Sequence, residues 1–260
     1  NQVMSQMVTA VAKRINPSGT EEVTVRKVGA NRLEVIIPGA DPDVVAQKKR
    51  QMTQLGSLEF AVLANRRNHQ DIIRRAENIK KNLTYPDGGL EASWIPSALD
   101  SNGKQKETST NGEVVTRPLL VNGEAAKDSS GDERLEYLVV FEKQKRRVTG
   151  KYLTRVYPTI SEGGSPAVGF VFNTRGGYLF GELTGKYRPS KDGFKSRLAV
   201  LLNAEVHSAP SVNSVISSSG IIEGQFTREE IDELIDVLNA GALVVPIKPD
   251  PISEFTISPT

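Results

Sequence analysis

The C-terminal stretch FTREEIDELIDVLNAGALVVPIKP, residues 226–249, constrains the fold more than any other segment of the chain. Thr227 followed by Glu230 is a capping box, which marks the first turn of a helix. Four apolar residues then recur at helical spacing: Ile231, Leu234, Ile235 and Leu238. Gly241 predicts the end of this helix, and the apolar run 243–245 predicts a strand. Because one amphipathic helix and one short strand cannot form a core alone, they must pack against elements elsewhere in the chain.

The first 64 residues supply candidate partners. They predict a helix ending near Ile15, a hairpin over 23–37 with its turn at 29–31, a helix that starts at Asp41-Pro42, and a strand over 57–64. This order is that of a ferredoxin-like unit that lacks its first strand. We therefore predict that the C-terminal helix packs beside the helix starting at Asp41, and that 243–247 joins the sheet of 23–37.

The predicted domain organisation follows from this return of the chain. A ferredoxin-like base, residues 1–64 plus 225–260, is interrupted by an inserted α/β head, residues 136–224, which gives an α+β fold class. Residues 65–135 begin with a basic helix and continue, over 83–134, with a tract rich in Gly, Ser, Asn and Asp. We predict that this insertion is polar and partly disordered. The chain starts at Asn1 and stops after FTISPT, so we expect both ends to be cut.

Composition excludes several function classes. Cysteine is absent, which excludes disulfides and thiolate chemistry, and the net charge of +2 predicts no strong attraction to nucleic acid. No run approaches the ~20 apolar residues of a membrane span. The basic stretches 66–81 and 143–151 have no interleaved aromatic residues, which favours solvated faces over a nucleic-acid site.

Candidate catalytic residues are few. His207-Ser208 suggests a serine hydrolase, but adjacent residues of a strand point to opposite faces, and the chain has no G-x-S-x-G motif. His69 is the other histidine, and no metal-ligand spacing is present. We therefore expect no enzyme, no cofactor and no metal. Gly163-Gly164 predicts a turn, and Gly176-Gly177 predicts a closely packed corner at a helix that Asn173 or Thr174 opens.

Six blocks in one order resemble a known family. RINPSGTEEVTVRKVGANRLEVIIPGADP resembles the start of the first extracytoplasmic domain of the SecD family, and SLEFAVLA resembles the strand that closes that opening unit. AVGFVFNTRGGYLFGELT, LAVLLNAEVHSAPSV and SSGIIEGQFTREEIDELIDVLNAGALVVPI resemble later blocks, and FTISPT resembles the approach to a membrane helix. The resemblance covers about 15–64 and 148–260. It leaves 66–146 unexplained.

The resemblance implies a function. It implies an extracytoplasmic (periplasmic) domain of the SecD/SecF family, related to RND transporters, at the bacterial inner (plasma) membrane. Its partners would be SecF, a SecY-type translocon and unfolded preprotein, and head movement against the base would support proton-driven export. The predicted preprotein contacts are Phe170, Phe172 and Tyr178, although a place in the core is the commoner outcome for the two Phe residues. The predicted hinges are Asn65, Val148 and Gly224.

Two other functions stay open on the sequence. The first is a porter-type domain of an RND small-molecule exporter, which a preformed apolar pocket would favour. The second is a serine hydrolase around Ser208, which would need His69 or His207 as its base.

Overall fold

The computed structural model describes residues 2–16, 18–39, 44–45, 48–49, 52, 57–77, 82–100, 102–106, 113–223, 226–240 and 247. By its contacts the chain divides into two units. The smaller unit is Asn1–Gly56 with Ala240–Thr260, and the larger unit is Ser57–Asn239. Helices and strands occur together, which confirms the predicted α+β class.

The described part of the smaller unit contains an N-terminal helix, a hairpin and further helical residues at 44–45, 48–49 and 52. Helix α1 (Gln2–Ile15) is followed by strands β1 (Thr24–Val28) and β2 (Arg32–Ile36), which pair antiparallel. Met7, Val11 and Ile15 of α1 form a buried cluster against apolar residues of the hairpin, as the helical spacing predicts. The predicted start of a helix at Asp41 and residues 243–246 of the predicted strand lie outside the described residues. Ile247 packs against the same cluster.

The larger unit contains the remaining described elements. In chain order they are β3 (Leu58–Leu63), α2 (Gln70–Ala76), β4 (Asn82–Thr84), β5 (Leu90–Pro96), β6 (Thr116–Pro118), β7 (Leu120–Val121), β8 (Glu124–Ala125), β9 (Leu135–Val140), β10 (Val148–Thr149), β11 (Leu153–Ile160), β12 (Pro166–Phe172), α3 (Thr174–Lys186), β13 (Leu198–Leu202), β14 (Glu205–Ser208), β15 (Ser219–Ile222) and α4 (Arg228–Ala240). Short 3-10 turns occupy Gln144–Arg146 and Gly150–Tyr152.

These strands form two main sheets. The eight-stranded sheet has the order β14-β13-β3-β9-β5-β4, with β10 also paired to β3 and β6 to β9. The three-stranded sheet has the order β11-β12-β15, and β7 and β8 form a separate small hairpin. All strand pairs within these sheets are antiparallel. Short connections join β4 to β5, β11 to β12 and β13 to β14, as antiparallel pairing allows.

One apolar core joins elements of both sheets. Phe60 of β3, Phe170 and Phe172 of β12, and Phe180 of α3 form an aromatic cluster with ring centroids 4.9–6.0 Å apart. The apolar face of α4 belongs to the same core: Ile231, Leu234, Ile235 and Leu238. The eight-stranded sheet therefore supports the inner face of the three-stranded one.

Helix α4 confirms the predicted capping box, and its apolar face lies in the core of the larger unit. The Glu230 backbone N–H donates to the Thr227 hydroxyl at 3.1 Å, and the Thr227 backbone N–H donates to the Glu230 carboxylate at 3.0 Å, so the capping box is formed. The apolar face of the helix packs into the core of the larger unit. Its predicted neighbour, a helix starting at Asp41, begins outside the described residues, so that packing stays a prediction. Capping and periodicity define a helix and its apolar face but not the surface that this face meets.

The unit boundaries also differ from the predicted base and head. They fall after Gly56 and after Asn239, whereas the sequence places them near 64 and 225. Strand β3 causes the first difference, because it pairs with β13, β9 and β10 of the eight-stranded sheet. It is buried on both faces, as a central strand is, and an apolar run alone does not show which sheet it enters.

The predicted polar insertion, 65–135, contains regular structure. Helix α2 and strands β4 to β8 lie within it, and β5 is almost fully buried. Turn chemistry explains the polar composition: the Asp100 carboxylate accepts from the N–H groups of Asn102 and Lys104, and Asp128 holds a similar turn. In these segments, polar residues therefore close tight turns between short strands.

Candidate functional site

The outer face of the three-stranded sheet is the candidate site. Along β12, Val168, Phe170 and Phe172 point into the core, so the alternate residues point to the other side. Six residues in register define this outer face: Arg155, Tyr157, Gly169, Val171, Ser219 and Ile221. They form two rows across the strands.

The central row depends on a glycine. Tyr157 pairs with Gly169, and Gly169 pairs with Ile221. A side chain at 169 would overlap the Tyr157 ring, whose hydroxyl oxygen lies 2.9 Å from the position of that missing Cβ. The ring therefore lies over Gly169 of the middle strand, and Ile221, which is 45% exposed, is in the same row. The row presents an apolar, accessible strip.

Strand β11 adds an edge. It pairs with β12, and no other described strand pairs with it. An irregularity in register between Leu153 and Arg155 and a proline at 158 shorten the stretch that could accept another strand. Ile160, at 65% exposure, stands beside the turn at 161–165, where Gly164 has a positive φ of 81° as the sequence predicts for a turn.

The predicted contact residues separate into two kinds. Phe170 and Phe172 are 2% and 6% exposed and belong to the aromatic cluster, so they form core and offer no surface. The strand's alternation points them inward because their neighbours Gly169 and Val171 occupy the outer face. Tyr178 on α3 is 56% exposed, with the Arg175 guanidinium 5.5 Å from its ring centroid. It stays a candidate contact.

The predicted hinge residues do not lie at the unit boundaries. Asn65 is buried, and its side-chain oxygen accepts from the Asn68 N–H. Val148 is buried in β10, opposite Phe60. Both lie inside the larger unit: Asn65 forms an isolated β-bridge with Val114, and Val148 pairs with β3. Gly224 lies outside the described residues.

The hydrolase alternative is not supported by the geometry. The Ser208 hydroxyl and the Nδ1 atom of His207 have no hydrogen-bond partner among the described residues. His207 lies against Phe226, and burial lowers its pKa to about 3. His69 accepts from the Asn65 N–H and bonds Tyr187, and burial lowers its pKa to about 4. Neither histidine ring is therefore hydrogen-bonded to the Ser208 hydroxyl.

The porter and metal alternatives also lack support among the described residues. A cleft of about 330 Å³ in the larger unit is lined by the Arg67–Asp192 ion pair and further charged side chains, so it is not an apolar drug pocket. No group of three potential metal ligands occurs among the described residues. Likewise, no helix in the described ranges is long and apolar enough to cross a membrane.

Helix α3 confirms two local predictions. Asn173 caps it by accepting from the Gly176 N–H at 2.8 Å. A side chain at Gly177 would overlap the Ser217 carbonyl oxygen, so this glycine permits the close approach of the segment leading to β15. The helix and this segment hold the three-stranded sheet in place from the core side.

The outer face could not be identified from one strand at a time. TRVYPTI shows Arg155 and Tyr157 on the side opposite Val156, which is a readable signal. The register that places Ile221 beside Gly169 is a long-range pairing, and the sequence interpretation did not predict it.

Comparison with known proteins shows similarity to SecD and SecDF proteins. A family model described as SecDF, P1 head subdomain, matches residues 124–245. Protein translocase subunit SecD of Rickettsia bellii is 29% identical and SecD of Rickettsia prowazekii 26% identical, each over the whole chain. SecD of Magnetococcus marinus is 27% identical over 99% of the chain. The chain spans about 40% of the length of these proteins.

Solved structures agree in fold. A structure of SecDF, a membrane component that enhances protein export, matches 98% of this chain and 94% of its own, with a TM-score of 0.59 and 21% identity. A super-membrane-facing form of SecDF matches 95% of this chain and 27% of its own, with a TM-score of 0.57 and 22% identity. The resemblance predicted from the sequence is confirmed: the chain is homologous to SecD over its whole length, and residues 124–245 match the P1 head subdomain of the SecDF family.

Proposed function

We propose that this chain is the P1 domain of a SecD-type translocase subunit and that it binds unfolded polypeptide during export. The observation that carries the binding proposal is the outer face of the β11-β12-β15 sheet. It lies within the part that matches the P1 head subdomain. Its central row offers an aromatic ring and an exposed aliphatic side chain over a glycine.

Such a surface suits a varied client. An export component must bind many sequences weakly, so sequence-tolerant contacts are more useful than a closed pocket. Tyr157 supplies a rigid ring with a polar tip, and residues of this kind carry much of the energy of protein contacts. The β11 edge can add main-chain hydrogen bonds to an extended segment, as in strand addition. Tyr178 on α3 is a second, separate contact.

The wider role follows from the family resemblance. The domain would act on the extracytoplasmic side of the membrane, with SecF and a SecY-type translocon as partners. Movement of the head against the base, driven by proton flow through the membrane part, would carry or release the bound segment. The chain passes between its two units near Gly56 and Asn239, and these two positions are our candidates for the hinges in place of those inferred from sequence.

Binding of a permanently unfolded, reduced and alkylated polypeptide to the 260-residue chain tests the proposal. We expect the double variant Tyr157→Ser, Ile221→Asp to raise Kd by roughly tenfold, because it removes the central row. Leu120→Asp is the matched control: Leu120 is 62% exposed in the β7-β8 hairpin, and its loss should change Kd less than about twofold. Equal effects of the two changes would refute the proposed surface.

A further inference from the structure

The three-stranded sheet has an unusual charge composition. Its strands LTRVYPTI, PAVGFVF and SGII contain one charged residue, Arg155, and no Asp or Glu. Arg155 lies in the outer-face row with Val171 and Ser219. Within the strands themselves, a segment resting on this face therefore meets one charged side chain, and its charge is positive.

The Arg155 guanidinium is available to a partner. Its central carbon lies 5.0 Å from the Tyr157 ring centroid, and it forms no ion pair with a carboxylate among the described residues. Arg75 and Arg147, by contrast, each donate two hydrogen bonds to a glutamate. Stacking on a ring orients a guanidinium while leaving its N–H groups free for a planar carboxylate.

The two ends of the outer face differ in charge. Arg155 makes one end cationic, and Lys151, just before β11 in the chain, is exposed with its ammonium 4.8 Å from the Tyr152 ring centroid. At the other end Glu162 lies in the turn after β11, and continuing the register of β12 and β15 brings Glu223 beside Ala167. The row of Ala167 and Glu223 is the second outer-face row beyond that of Arg155, roughly 13 Å away along the strands. The face is thus cationic at one end, apolar in the middle and anionic at the other end.

We infer that the outer face selects extended polypeptide segments that carry an acidic residue beside apolar ones, with the carboxylate on Arg155 and the apolar residues on Tyr157 and Ile221. This selectivity rests on the proposed binding function. A bidentate carboxylate contact fixes the position of the segment, and Glu223 disfavours the reversed placement of its acidic end. Segments with a basic residue at the same position are disfavoured by repulsion from Arg155.

Three short peptides with the same apolar residues and a terminal Asp-Asp, Asn-Asn or Lys-Lys pair test the inference against the 260-residue chain. At low salt we expect the Asp peptide to bind about threefold more tightly than the Asn peptide, and the Lys peptide about threefold more weakly, as for exposed ion pairs. Arg155→Gln should make the three affinities equal. About 0.5 M salt should also reduce the differences by screening.

Lys127→Gln is the charge-matched control, because Lys127 is exposed and lies outside the three-stranded sheet. It should keep the threefold preference. Three peptides of equal affinity for the unsubstituted chain would overturn the charge selectivity and leave the binding surface standing. Absence of binding by all three would overturn the proposed function as well. If Lys127→Gln and Arg155→Gln lose the preference for the Asp peptide equally, the preference arises from the overall charge of the chain. That result would overturn the role of Arg155.

Discussion

The two sheets of the larger unit differ in burial and in the pairing of their charged residues. The eight-stranded sheet is buried along its central strands on both faces, and its charged residues are neutralised: Glu59 by Arg147, Glu91 by Arg75 and Glu136 by Arg117. The three-stranded sheet buries one face only. Its outer face keeps an arginine without a carboxylate partner in the described structure and an isoleucine that is 45% exposed.

Because of this difference, we expect the large sheet to determine the stability of the unit and the small sheet to determine binding. Burial on both faces makes each residue of the large sheet costly to replace, because a deletion leaves a cavity or an unpaired charge. The outer face of the small sheet can vary with little effect on folding, because water already reaches it. Substitutions should therefore change stability in one sheet and binding in the other.

The largest effect should come from a core truncation. Leu138→Ala in β9, where the side chain is 1% exposed, should lower the free energy of unfolding by about 3 kcal/mol. Ile221→Ala on the outer face should lower it by less than about 1 kcal/mol. Urea unfolding of both variants measures the difference. Similar losses would mean that the outer face is structural.

The next largest effect should be an acid-induced loss of stability that arises from two buried histidines of the larger unit. His69 and His207 have folded pKa values of about 4 and about 3, below the ordinary 6.5, because burial disfavours their charged forms. The unfolded chain binds more protons below pH 6.5, so stability falls as the pH falls from 6.5 towards 4. We expect a loss of about 2 kcal/mol between pH 6.5 and 5.5, since each group contributes up to ~1.4 kcal/mol per pH unit.

The double variant His69→Gln, His207→Phe should have a flatter pH profile of unfolding between pH 6.5 and 5.5. Binding of the unfolded polypeptide should stay constant over the same range where the chain is folded, because the outer face contains no histidine. An unchanged slope in the double variant would show that other groups cause the acid sensitivity.

Two arginines give the most closely matched comparison. Arg147 donates to the Glu59 carboxylate at 2.7 Å, and its guanidinium lies 4.6 Å from the Phe141 ring centroid. The Arg155 guanidinium lies 5.0 Å from the Tyr157 ring centroid and has no carboxylate partner in the described structure. Arg147→Ala should cost about 1.5 kcal/mol, because it leaves the largely buried Glu59 carboxylate unpaired. Arg155→Ala should cost less than about 0.5 kcal/mol. Thermal unfolding followed by circular dichroism ranks the two, and a larger loss for Arg155 would contradict the comparison.

The sequence predicts local structure well and long-range pairing poorly. The Thr227–Glu230 capping box, the hairpin over 23–37 and the cap at Asn173 depend on neighbours within a few residues, and all three are present. The sheet to which β3 belongs and the core that α4 enters depend on residues more than a hundred positions away. Nothing in their own apolar patterns distinguishes one partner from another.

The candidate site shows the same limit. Phe170 and Phe172 attract attention as aromatic residues, yet the alternation of β12 makes them core. The exposed strip instead depends on Gly169, whose missing side chain admits the Tyr157 ring. A glycine in the middle of an apolar strand is a weak signal for such a contact, and only the register of three strands gives it meaning.

Site-specific photo-crosslinking tests the central claim most directly. A photoreactive residue at Ile221 would be compared with one at Ile36 in β2, which is 43% exposed, and one at Leu120, which is 62% exposed. With a stalled export substrate in membranes, the account predicts crosslinks from Ile221 well above those from the other two positions. Crosslinks in proportion to exposure alone, or none from Ile221, would contradict the assignment of the outer face as the polypeptide-binding surface.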